Sequence, residues 1–144
     1  MLRDVIIDIK ACQDDGETGN IEFTTEGHYT FEDDVGCITY LETDVTGMKG
    51  TRTSVFVMPD QIVVDRDGVV TSRMVFKEGE KNQFLYQTPY GKATMGIDTR
   101  SIKQDFGVLG GNAVIDYVVD VEHTVFSKNK FLISVKDAGD TAHA

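Results

Sequence analysis

Few side chains in this sequence combine a reactive type with an informative spacing. Arg66 is one. Alternation places it on the same face as Ile62 and Val64. If that face points inward, a guanidinium sits at one rim of an apolar interior. There it can hold an anionic head group through charge-assisted hydrogen bonds. The other reading is a rim arginine paired with Glu42 or Asp44. Tyr40, Tyr86 and Tyr117 can bring hydroxyls inside. Such groups orient a ligand or, as buried tyrosines usually do, satisfy one hydrogen bond.

Other candidate chemistry is thin. Asp65-x-Asp67-Gly68 resembles the start of a calcium loop, but the twelfth position, where the bidentate glutamate belongs, is Phe76. A tight turn is the plainer reading. Asp14, Asp15 and Glu17 read as a solvated loop. The serines lack a nucleophile elbow, the carboxylates lack an acid–base context, and no glycine loop cradles phosphate. No catalytic residue, metal or cofactor is expected.

Composition narrows the partners. The 144 residues carry 24 acidic and 14 basic side chains, a net charge of −10. That surface repels phosphate backbones and anionic membranes, so neither nucleic acid nor membrane is an expected partner. No segment approaches the ~18 consecutive apolar residues of a membrane helix. Met1-Leu2-Arg3-Asp4 lacks the apolar run of a signal peptide, which makes a cytoplasmic location the default expectation. Cys12 and Cys37 fit no metal or redox spacing. They are expected at opposite ends of the sheet, unpaired.

The elements that must position these residues are strands. The clearest unit is a hairpin from Phe84 to Thr99. Phe84, Tyr86, Thr88 and Tyr90 alternate on one side of Pro89-Tyr90-Gly91-Lys92, and Ala93, Met95, Ile97 and Thr99 on the other. Gly96 marks a bend or a close approach. Ile21, Phe23, Thr25, Gly27, Tyr29 and Phe31 form another regular face. Residues 35–46 are strand-like with two comparable faces, one carrying Ile38, Tyr40, Glu42 and Asp44. Residues 100–109 fit a short helix or a continuing strand followed by a loop. A unit beginning at Phe126, with a turn near Asn129, leads into the final face of Phe131, Ile133 and Val135. Nine or ten strands with short turns indicate an antiparallel sandwich or closed barrel, in up-and-down order. Residues 1–137 form the domain, and 138–144 read as a flexible C-terminal tail.

A wider pattern emerges from several of these residues together. Tyr40 and Glu42, Arg66-x-Gly68, and Met74 with Phe76 come in order. Tyr86-Gln87-Thr88-Pro89-Tyr90-Gly91, Thr99, Gly110-Gly111, Tyr117 and Asn129-x-Phe131-Leu132-Ile133 follow. The chain thereby resembles the YwiB-like family of small uncharacterised bacterial proteins, found mainly in Firmicutes, over nearly its whole length. The resemblance implies a calycin-like β-barrel of about eight to ten strands, lipocalin-like in shape, and no catalytic residues. Some calycin-like barrels hold haem, for which His123 is the sole candidate axial ligand; His28 and His143 lie elsewhere. Two functions follow as expectations. One is non-enzymatic binding of a small apolar or anionic ligand inside the barrel, with Arg66, Tyr40, Tyr86 and Tyr117 as its contacts. The other is a protein-interaction barrel with a packed interior, as monomer or homodimer.

Overall fold

A computed structural model describes residues 2–13, 20–121 and 124–138. The strands are β1 (Arg3–Gln13), β2 (Ile21–Glu32), β3 (Val35–Leu41), β4 (Thr51–Val57), β5 (Ile62–Gly68), β6 (Ser72–Phe76), β7 (Lys81–Thr88), β8 (Gly91–Gln104), β9 (Gly111–Val121) and β10 (Thr124–Asp137). They form one ten-stranded sheet in the order β6-β5-β4-β3-β2-β1-β10-β9-β8-β7. Every pairing is antiparallel, and β1 joins β10.

The two sheet ends meet along a seam. Thr71 and Gln87 exchange backbone hydrogen bonds of 3.0 and 2.9 Å, and Asn82 Nδ2 donates to the Val75 carbonyl at 3.4 Å. The result is a nearly closed up-and-down barrel, which excludes the sandwich.

Period-2 alternation explains the core. Cross-strand register lines up Ile38, Val55, Val64 and Met74 as one inward row. On the opposite wall Ile7, Ile9, Ile115 and Ile133 point inward and are at most 4% exposed. One end is sealed. The Tyr29 hydroxyl donates to the Gly107 carbonyl at 2.6 Å, and the Phe106 ring lies 6.0 Å from the Tyr29 ring. The opposite end, where β3 and β7 finish, carries the β3–β4, β5–β6 and β7–β8 connections and is termed the mouth for orientation alone.

The structure corrects some local expectations and decides between others. Asp65-Arg66-Asp67-Gly68 is the end of β5, not a turn: Arg66 pairs with Thr53 and is neutralised by Glu42, just past β3. Asn129 lies within β10, opposite Tyr117 and Gln13, and the last unit begins at Thr124. Residues 100–104 are strand, with a register shift between Thr99 and Ser101, and the helix alternative falls. In residues 35–46 the strand ends at Leu41, and Ile38, Tyr40 and Glu42 face inward, each at most 4% exposed. Tyr90 leaves the alternation: it tips the β7–β8 turn and is 99% exposed. Gly96 marks a close approach of the Asp120 carboxylate on the outer wall. Cys12 ends β1 at the mouth and Cys37 starts β3 at the sealed end, both unpaired.

Candidate functional site

The inner wall carries one polar row. Register sets Tyr40 opposite Thr53, Thr53 opposite Arg66, and Arg66 opposite Ser72. Glu42 follows Tyr40 on the inward face. All but Arg66 are buried, and Arg66 keeps only 16% of its side chain exposed. Polar groups taken this far from water must be hydrogen-bonded or they destabilise the fold.

The acid is well satisfied. Thr53 Oγ1 donates a short hydrogen bond to Glu42 Oε2, and Thr46 Oγ1 donates to Oε1 at 3.0 Å. Arg66 Nε lies 3.7 Å from Oε2, close enough for charge compensation and too long for a hydrogen bond. Its Nη1 points at the Met74 sulfur, 3.6 Å away. Among the described residues, three buried side-chain atoms have no hydrogen-bond partner: Arg66 Nε, Ser72 Oγ and Thr99 Oγ1. Arg66 and Ser72 are direct cross-strand neighbours, and Thr99 lies opposite Tyr117.

The structure brings Tyr40 and Tyr117 to Arg66. Burial pushes the Tyr40 phenol above its ordinary pKa; the Glu42 carboxylate adds to this and Arg66 opposes it. Burial raises Tyr117 as well, again opposed by Arg66. The Tyr117 ring packs edge-on against Phe76, 4.9 Å between centroids. Tyr86 is half-buried on β7 opposite Ala93, packed against the core beside the seam where Thr71 pairs with Gln87. Of the two expected partners for Arg66, Glu42 is present, while Asp44 faces Lys49 at 3.9 Å.

Two features went unread in the sequence. Thr53 and Ser72 complete the row, and only their shared parity with Val55 and Met74 hinted at it. The second is a gap in the wall. β2 pairs with β3 only from His28 to Glu32, so residues 21–27 splay away. This opens a cleft of about 720 Å³ whose lining includes Gly27, Tyr40, Glu42 and Arg52. A Cβ on Gly27 would collide with the Thr39 carbonyl and the Ile7 side chain, so the close approach at the base of the splay requires glycine. His28 reaches Asp4 at 3.3 Å on the surface. Asp14, Asp15, Glu17, His123, His143 and the tail beyond residue 138 lie outside the described residues.

Geometry of this kind defines a class: a nearly closed antiparallel barrel, filled largely by its own side chains, with a buried polar row beside a lateral cleft. Residues 7–133 match the family described as Domain of unknown function (DUF1934), and the chain belongs to that family. It is 28% identical to the "Uncharacterized beta-barrel protein YwiB" of Bacillus subtilis (strain 168) over 109 residues, 76% of this chain and 75% of that one. The crystal structure of the ywiB protein from Bacillus subtilis superposes with a TM-score of 0.83, covering 95% of this chain and 93% of that chain at 23% identity. That likeness shows the barrel. Among the described residues, no helix is long and apolar enough to cross a membrane.

Proposed function

We propose that this barrel is a non-enzymatic binder of a small, partly apolar ligand. Its polar or anionic end enters at the gap between β2 and β3, meets Tyr40 first, and reaches toward Arg66 and Ser72 further along the row. The supporting observation is the pair of unsatisfied atoms, Arg66 Nε and Ser72 Oγ, at the end of a buried polar row. Most inward side chains are packed, so the head group alone enters and the apolar part lies in the cleft.

The same packing favours a second reading, an interaction barrel that holds no ligand. Leu41, Val45, Val69 and Tyr90 are exposed on strands and turns at the mouth and would supply its contact surface.

Native mass spectrometry of the full chain as purified, beside the same sample after denaturation, separates the two. Ligand binding gives a non-covalent adduct that unfolding releases. An Arg66→Met, Tyr40→Phe double variant, shown to be folded, loses that adduct. A clean apo monomer that also takes up no added octanoate overturns the binding proposal, and a clean apo dimer moves the function to the mouth surface.

A further inference from the structure

We infer that the outer face of β8, β9 and β10 carries a second, separate site for the phosphate or carboxylate group of a small organic anion. An open cavity of about 680 Å³ lies there, between the end of β1 and these three strands. Among the described residues, its charged lining is Arg100, Lys128, Lys130 and Asp116. Over the whole chain, acids outnumber bases 24 to 14. The described lining reverses that balance, and a reversed local potential in a concave site concentrates anions.

Register explains how the cations converge. Lys128 pairs with Val118 and Lys130 with Asp116, so both lysines leave the same outward face of β10. Arg100 is the extra residue of a bulge, set between Thr99 opposite Tyr117 and Ser101 opposite Asp116. Bulges re-aim a side chain out of strict alternation, and here the arginine side chain stays 65% exposed.

Asp116 is already engaged. Ser101 Oγ donates to Asp116 Oδ2 at 3.0 Å, and Lys130 Nζ stands 3.9 Å from Oδ1. Arg100 shares a 3.3 Å contact with Asp98 at the cavity edge. Lys128 has no ion pair among the described residues. Val118, although on the outward face, is only 7% exposed and gives the cavity an apolar floor. Three cations around such a floor suit an oxyanion attached to a short apolar group. Gln13, Tyr117 and Asn129, of inward parity, also line the cavity, with the Tyr117 ring packed inward against Phe76.

The test is a ¹⁵N-resolved NMR titration of the full chain at constant ionic strength, first with inorganic phosphate, then with phenyl phosphate and benzoate. The expected result is saturable shifts centred on Arg100, Val118, Lys128 and Lys130. Phenyl phosphate binds more tightly than phosphate because of the Val118 floor, and benzoate shows whether a carboxylate suffices. Lys128→Gln weakens binding about tenfold, the scale of one charge-assisted hydrogen bond, while Lys103→Gln leaves it unchanged. The spectra themselves show that each variant folds. Shifts that never saturate overturn the inference. So do shifts equally strong around Lys10, Lys103 and Lys136, or binding that Lys128→Gln does not weaken.

Discussion

Arg66 depends on Glu42 more than Glu42 depends on Arg66. Nε lies 3.7 Å from Oε2, with the acid side chain 1% exposed and the arginine 16%. Thr53 and Thr46 hold both carboxylate oxygens whether or not the arginine is present. Arg66 Nε has no hydrogen bond at all among the described residues.

Removing the acid should therefore cost more than removing the base. Glu42→Ala leaves an uncompensated buried guanidinium and is expected to lose about 3–5 kcal/mol in urea unfolding at neutral pH. Arg66→Met should lose clearly less, since the carboxylate keeps its two hydroxyl donors. The double variant Glu42→Leu, Arg66→Met should recover most of the loss, because a well-packed apolar pair replaces the charges. Equal single losses would overturn the asymmetry, and a double loss equal to their sum would show that the pair is not coupled.

Thr53 gives a second check on the row. It is fully buried, and its hydroxyl serves the carboxylate. Thr53→Val keeps the shape and removes the donor, at an expected cost of about 1–3 kcal/mol. In a background lacking Glu42 the same change should be nearly neutral. A full cost in both backgrounds would place the role of Thr53 in packing instead.

Alkaline pH should weaken the barrel through its buried phenols. Tyr29 is fully buried and its pKa is pushed up to about 12 from 10.0. The folded state favours the neutral form, so this contribution is complete below pH 10. It falls away as pH rises from 10 to 12. Tyr40 and Tyr117, also raised, act in the same direction. Tyr29→Phe should lose about 1 kcal/mol at neutral pH with its bond to Gly107, and should flatten part of the alkaline decline. Urea midpoints measured through that range decide it: an unchanged slope in the variant would mean the decline comes from other groups.

The strands were readable because one face of most of them is predominantly apolar, as in Ile21 to Phe31 or the Phe84–Thr99 hairpin. Reading stopped where a tertiary partner overrides local pattern. Asp65-Arg66-Asp67-Gly68 has the composition of a turn; it is extended because Glu42, more than twenty residues earlier, neutralises the inward arginine. The faces of residues 35–41 are matched in apolar content, and the inward one is the face that carries the acid. Residues 100–109 lost their period to the bulge at Arg100. Arg66, Tyr40 and Tyr117 could be nominated from residue type alone. Thr53 and Ser72 could not, since small hydroxyl side chains suit either face of a strand. The cluster of Arg100, Lys128 and Lys130 exists only once β8, β9 and β10 are in register.

Gly96 offers the most local test of that register. A Cβ there would stand 2.5 Å from Asp120 Oδ1, and the carboxylate has little room to retreat because Lys81 Nζ holds its other oxygen at 2.7 Å. The clash is with a side chain, so the glycine is required by Asp120 rather than by the backbone of β8. Gly96→Ala should therefore cost about 1–3 kcal/mol, the range for overpacking, and Asp120→Ala should cost part of its own ion pair. Their combination should cost less than the sum, since removing the carboxylate makes room for the methyl group. Strict additivity in a double-mutant cycle would mean that Gly96 serves a bend in the strand, and that the close pairing of Gly96 with Asp120 is not what the position is for.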